Sequence, residues 1–495
     1  MGTSFAATSR EFTLRYAGLS FYWAWVFLSF NSLDIVGGSG RAISLVHVAS
    51  SATAMIAFVV CALCWRSVMG WKARRVRVVL ATCGAGAALS TFLYSSPLFI
   101  ASPALVVTGA LATGFACSPI VLAWGVAYRD LDARRAVLYT SMTFFGAAVL
   151  YGVVSLAGPT LAPAAVSLLP LAAALTVVAS LRDWRAEPVP DARGRQRART
   201  EIRDLVRTAL SWRVLVGLIA ALFAYGGLRV YFGDIAPDVF SNPALMTGTI
   251  ALAALIFFVY GVFVSRTSLN LGVLYRIAMS VWALAFVLIA LVGHDNATMV
   301  FFMASLSSVL FEVLTWALLV EIARTTHFSA LLVFAVGRLA VHLGIVAGEV
   351  VAFALIGDVV LFAVVAVFVL AVSAGFTFAD RDTTFAFESP TPAELERIVP
   401  AASDVDARIA ALAETYQLSP REKEVFALWV TGHGSKYIQE KFVISPATVK
   451  THVRHIYEKC DVHNRAELMQ KLEEGTMQTA DKLLLCLFFF RHIIY

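Results

Sequence analysis

Charge is what this chain has least of. Of its 495 residues, 15% are Asp, Glu, Lys or Arg, against about 25% in an ordinary soluble protein. The apolar share is 59% and the mean hydropathy is +0.77. Over this length, those values exclude one large water-soluble core and call for many membrane-crossing segments. Cysteine is sparse and scattered, at Cys61, Cys64, Cys83, Cys117, Cys460 and Cys486. Cys61 and Cys64 form a CxxC inside an apolar run, without a second pair or a nearby histidine. They read as small packing residues, and no disulfide framework is suggested. No nucleophile–base set, phosphate loop or receiver-type acidic pocket stands out, so no catalytic residue, metal or cofactor is expected. Arg10 and Arg15 run into a long apolar segment that no small-residue cleavage pattern closes, which reads as a retained first span.

Apolar runs of about 20 residues, the length that crosses a bilayer as a helix, fall near 16–36, 43–64, 77–95, 103–127, 137–157 and 161–181. After an arginine-rich interval, 182–213, a second set falls near 213–232, 244–264, 271–292, 298–320, 329–356 and 358–378. The expectation is an all-α chain with twelve transmembrane helices, six plus six, over residues 1–380. With the N-terminus in the cytoplasm, the cytoplasmic segments carry 22 Lys and Arg residues, nine of them in the central interval. The outer segments carry Arg41 and Arg229 alone. This asymmetry orients the chain, and an even number of spans returns it to the cytoplasm after Ala379. The setting expected is the cytoplasmic (inner) membrane with both termini cytoplasmic. The outer connections are short, so an external signal would have to bind within or between helices.

Beyond the spans the composition changes. Residues 381–417 begin as a linker with Pro390, Pro392 and Pro400. Val405, Ile409, Leu412 and Tyr416 then recur at helical spacing, either packing on the C-terminal module or pairing with a second copy. Residues 418–474 read as four short helices. Ser419, Pro420 and Glu422 form a capping box with a first-turn proline, and Ser445-Pro446 repeats the device. Ser435 and Asn464 can cap the second and fourth helices. In the third helix Val449, Val453, Ile456 and Cys460 make one apolar stripe, opposite Lys450, Thr451, Arg454 and Glu458. A short helix with a buried stripe and a basic, hydrogen-bonding face suits the major groove of DNA; an ordinary solvated bundle is the other reading. The 475–495 tail holds an apolar run of eight residues, too short to span.

The elements L-S-P-R-E from Leu418, G-x-x-x-K-Y-I from Gly432, I-S-P-A-T-V-K-T-H-V-R-H-I-Y-E-K from Ile444 and N-R-A-E-L from Asn464 resemble the LuxR/NarL-type helix-turn-helix. That resemblance implies a four-helix domain that binds double-stranded promoter DNA and regulates transcription, usually as a dimer. By position it implies Lys450, Thr451 and Arg454 at bases, and Lys436, Ser445, Thr448 and Lys459 at phosphates. Leu468, Met469 and Leu472 would form a homodimer contact. The twelve spans with a long basic central loop resemble the major facilitator architecture. The combination resembles membrane-bound LuxR-type regulators of bacteria, in which such a bundle is fused to the DNA domain, and the function expected is a membrane-bound regulator whose bundle senses a small molecule or membrane state.

Ionisable residues inside spans are costly and often functional. Arg338, His342 and Glu349 fall on one face of the eleventh expected span, Glu312 lies in the tenth and Asp34 ends the first. They form either a polar cavity where a ligand or proton is sensed, or internal pairs such as Arg338 with Glu349 or Glu312. A secondary transporter with a regulatory DNA-binding tail is the alternative function. A constitutive DNA-binding protein merely anchored by its spans is a third.

Overall fold

The computed structural model describes residues 14–36, 39–131, 133–181, 184, 194–261, 271–292, 296–355, 358–376, 409, 412–430, 435–442, 444–462 and 467–468. The tail at 475–495 and the linker at 381–408 lie outside them. The chain divides into two compact units, Met1–Ser389 and Pro390–Tyr495. Every regular element among the described residues is helical.

The first unit contains α1 (Leu19–Asn31), α2 (Gly40–Met69), α3 (Ala73–Ser95), α4 (Pro103–Tyr128), α5 (Ala133–Ser155), α6 (Gly158–Ser180), α7 (Gly194–Thr208), α8 (Trp212–Ile235), α9 (Pro243–Val259), α10 (Leu271–Val292), α11 (Ala297–Thr325), α12 (Ala330–Ala354) and α13 (Val359–Phe376). Eight of these contain stretches long and apolar enough to cross a membrane: α2 to α6, α8, α11 and α12. Large apolar side chains such as Leu89, Phe115, Phe145, Val153, Leu168 and Phe368 face outward. A surface of that kind suits hydrocarbon. Hydroxyls inside the helices return their protons to carbonyls one turn back, as Thr108 does to Ala104 and Ser141 to Val137. These hydroxyls are thereby satisfied within their own helices.

The packing has an internal repeat. Numbered within α1–α6, the first helix packs on the fifth and sixth, the second on the fourth, and the third on the fourth and sixth. The same pairs meet within α8–α13. Across the seam, α2 meets α12 and α5 meets α9. Close approach depends on glycine at several places, among them Gly114, where a Cβ would overlap the Ser50 carbonyl, and Gly226, where it would overlap the Ile345 carbonyl.

Two segments differ from the sequence expectation. The first span is not one helix through residue 36. It stops at Asn31, Ser32 is extended, and a short turn, Leu33–Val36, follows. The break frees the last carbonyls of α1, and Phe30 O accepts from Arg229 Nη2 at 2.7 Å. The arginine-rich interval contains a helix, α7. Its Ile202, Leu205 and Val206 pack against the bundle while Arg199, Arg203 and Arg207 stay exposed. Glu201 ties α7 to Arg66 of α2. The i, i+3, i+4 apolar spacing carried this signal beneath the charge.

In the second unit α14 (Pro420–Val430), α15 (Ser435–Phe442) and α16 (Pro446–Cys460) surround Val425, Phe426, Ile438, Val449, Ile456 and Cys460. Ile409, Leu412, Ala413 and Tyr416 join the same core, so the lead-in segment packs on this unit.

Candidate functional site

The first unit contains a cavity of about 80 Å³. Its walls come from α1, α2 and α4 on one side of the seam and from α8, α11 and α12 on the other. Aromatic rings of Trp23, Phe27 and Phe30 sit beside Ser50, Ser51, His47, Arg229, Glu312, Arg338 and His342. Toward the end bearing Arg129 and Arg324, the rings of Trp23, Phe144, Trp316, Tyr128 and Phe334 pack against one another, with centroids 4.9–6.1 Å apart.

Arg338, Glu312 and His342 line this cavity together. Arg338 is buried, forms an ion pair with Glu312, and lies 5.5 Å from the centre of the Trp23 ring. Glu349 is fully buried and is held differently. Oε2 is 2.9 Å from His47 Nδ1, and Oε1 is 3.3 Å from Arg229 Nε, an ion pair without hydrogen-bond alignment. Of the two internal pairings considered for Arg338, the structure forms the one with Glu312. Asp34 falls in the Leu33–Val36 turn, and its side chain is outside the described set. Sequence reasoning missed His47 and Ser51. His342 Nδ1 lies 3.1 Å from Ser51 Oγ, which is 3.4 Å from His47 Nε2. A histidine in an apolar helix was the available signal at residue 47.

In the second unit the capping box is closed in both directions. The Ser419 amide donates to Glu422 Oε2 at 2.7 Å, and the Glu422 amide donates to Ser419 Oγ at 3.4 Å. Ser445 Oγ accepts from the Thr448 amide at 3.1 Å and so fixes the start of α16. Arg421 donates to the Phe442 carbonyl and lies 4.2 Å over the Phe442 ring, which ties α14 to α15. Asp461, in the left-handed region at φ 50°, ends α16. With its apolar stripe facing the core, α16 leaves Lys450, Thr451 and Arg454 exposed on the opposite face, and Ser445 and Thr448 exposed at its start. Lys436 lies on α15, its side chain outside the described set.

Lys459, expected at a phosphate, is exposed and also meets its own unit: Nζ is 2.6 Å from Glu422 Oε2 and 3.4 Å from the Gln417 carbonyl. The Glu422 carboxylate is nearly buried and needs a cation, and Lys459 supplies it. Burial acts to raise the Glu422 pKa, but the hydrogen bonds from Lys459 and Ser419 outweigh it and hold it at about 2. Leu468, expected on a dimer face, is fully buried in the core of its own unit. Its helical spacing serves the domain interior, so it has no surface to offer a second copy. Met469 and Leu472 lie outside the described residues.

The fold and these sites define a membrane protein of packed helices joined to a separate helix-turn-helix unit. Residues 416–472 are a helix-turn-helix domain of the family described as bacterial regulatory proteins, luxR family. A segment of 66 residues, 13% of this chain, is 33% identical to the HTH-type transcriptional regulator MalT of Vibrio cholerae. That segment is only 7% of the relative's length. Over 73% of its length the chain superposes on 97% of the human organic anion transporter MFSD10 (TETRAN), with TM-score 0.54 and 14% identity. It also superposes on 96% of a bacterial homologue of the iron transporter ferroportin in its outward-facing state, over 74% of this chain, with TM-score 0.51 and 12% identity. At such identities the likeness is one of fold, and the first unit resembles the transporters of the major facilitator class in that sense.

Proposed function

We infer that this protein is a membrane-tethered transcription regulator, in which a helical bundle senses a small molecule or membrane signal and alters how a DNA-binding domain engages a promoter. The observation that carries the reading is the exposed face of α16: Lys450, Thr451 and Arg454 stand side by side on a capped helix of a luxR-family domain, in a chain whose other unit has an apolar surface and a polar cavity. Lys450, Thr451 and Arg454 contact base edges, while Lys436, Ser445 and Thr448 hold phosphates. Two such domains pair through the segment containing Met469 and Leu472. The bundle crosses the inner membrane twelve times, six plus six, with both termini cytoplasmic. The repeated packing of α1–α6 and α8–α13 and the arginine asymmetry support this. The linker from 381 carries the signal to the domain beginning near 418. The sensor site is the seam cavity lined by Glu312, Arg338 and His342, with Glu349 buried beyond its lining.

The test is genome-wide mapping of bound DNA for the wild type and a Lys450→Ala/Arg454→Ala double variant. Discrete sites lost in the variant, at equal membrane levels of the two proteins, are expected. A wild type without enriched sites would overturn the reading.

The seam cavity supports a second reading, a secondary transporter with a regulatory tail. Substrate uptake into proteoliposomes, abolished by Glu312→Gln or Arg338→Ala, would establish it. Signal-dependent DNA binding without uptake would remove it.

A further inference from the structure

Four polar side chains form an unbroken file across the seam between α2 and α12. Glu349 Oε2 is 2.9 Å from His47 Nδ1, His47 Nε2 is 3.4 Å from Ser51 Oγ, and Ser51 Oγ is 3.1 Å from His342 Nδ1. The two ends differ. Glu349 is fully buried, whereas His342 is half-buried and lines the cavity. The hydrogen bonds have one consistent direction. An ionised Glu349 only accepts, so a neutral His47 donates from Nδ1 and keeps Nε2 as an acceptor. Ser51 donates its hydroxyl proton to that nitrogen and accepts from His342 Nδ1–H. His342 Nε2 is then the acceptor left at the cavity end of the file.

We propose that this file is a proton relay and that Glu349 is the proton-binding site it serves. The proposal rests on the reading of the bundle as a sensor and names its ligand as a proton. A proton taken from water binds His342 Nε2, and the Nδ1 proton moves to Ser51 Oγ. Ser51 passes its own proton to His47 Nε2, and His47 passes its Nδ1 proton to Glu349 Oε2. The net change is one added proton and no transferred electron. Glu349 becomes a neutral acid, and both imidazoles end neutral in the opposite tautomer.

The surroundings explain why that proton changes the packing. Glu349 is faced by Arg229 and Tyr225 of α8 and by His47 of α2. The His342 end is faced by Arg338 of its own helix, paired with Glu312 of α11, with Tyr22 of α1 and Cys117 of α4 beyond. Neutral Glu349 no longer balances Arg229, which is 5% exposed and keeps the Phe30 carbonyl as a hydrogen-bond acceptor. A buried cation that loses its counter-charge favours any rearrangement that hydrates it. Arg229 holds the broken end of α1, and His47 joins α2 to α12. The added proton therefore acts on the contacts that fasten one set of six helices to the other.

The experiment uses the full chain in lipid nanodiscs and infrared difference spectra after a pH jump. On acidification the wild type should gain a protonated-carboxyl band that Glu349→Gln lacks. Ser51→Ala should gain the same band about tenfold more slowly, and Ser51→Thr, which restores the hydroxyl, should recover the rate. No Glu349-dependent band over the pH range in which the protein stays folded would overturn the proposal. So would a Ser51→Ala variant as fast as the wild type. A promoter reporter read in parallel separates the two levels of inference. Titration of Glu349 with transcription indifferent to pH keeps the relay and removes the sensor reading. Transcription that follows pH equally in Glu349→Gln removes the relay as its cause and keeps the sensor reading.

Discussion

The two units treat charge in opposite ways. In the membrane unit Arg229, Arg338 and Glu349 are at most 5% exposed, and each has a partner of opposite sign on another helix. In the helix-turn-helix unit Lys450 and Arg454, on the outer face of α16, stand in solvent, with Arg454 3.6 Å from Glu458 in a pair that is open to water on both sides. A buried pair fixes helix positions, because losing one member strands the other away from water. An exposed pair contributes little and leaves its cation available to an outside anion. The difference separates a unit that pairs its charges inside from one that presents charge to solvent.

The strongest way to break this comparison is to remove one buried partner. Arg229→Ala or Glu349→Ala should cost about 3–5 kcal/mol, read as a lower unfolding temperature in detergent. The double variant should recover part of the loss in a double-mutant cycle. Independent losses that simply add would show that the two side chains are not a structural pair. Next in size, Ile456→Ala should cost about 2–5 kcal/mol and abolish hydrogen-exchange protection in α14–α16 while leaving the bundle unchanged.

A third comparison concerns the exposed cations. Lys450→Ala or Arg454→Ala should cost about 1–3 kcal/mol of DNA affinity and relax sequence preference. Lys436→Ala should weaken all sequences alike and flatten the salt dependence. Equal salt slopes for these variants would remove the division of roles. The smallest effect is the pH dependence of the one buried carboxylate described outside the bundle. Glu422 is held at about 2, below its ordinary 4.5. Its contribution to stability is therefore fully present above the ordinary value and is lost as pH falls through about 2. Exchange protection of α14 should decline across that window in the wild type, and the decline should be smaller in Glu422→Gln.

The helix-turn-helix was legible because its signals are local. The capping box spans Ser419 to Glu422, and the stripe from Val449 to Cys460 repeats every three or four residues. The apolar helices were legible through their length. The seam was not legible, because its partners are far apart in the chain: His47 and Glu349 are separated by 302 residues, and Ser51 and His342 by 291. Other partners were hidden for the same reason: Lys459 gave no sign of meeting Glu422, 37 residues away, and Leu468 looked like a surface residue because the core that covers it comes from other helices.

The sequence by itself determined that most of the chain is apolar helix, that a capped, basic-faced module follows it, and which ionisable residues sit inside apolar runs. These depend on composition and on spacings of a few residues, where helix geometry is fixed by the backbone. Only the tertiary structure decided which buried charge meets which, that α1 breaks to give its carbonyl to Arg229, and that two histidines and a serine lead to Glu349. Burial makes those pairings obligatory without specifying them along the chain, since any helix of the bundle can bring the partner.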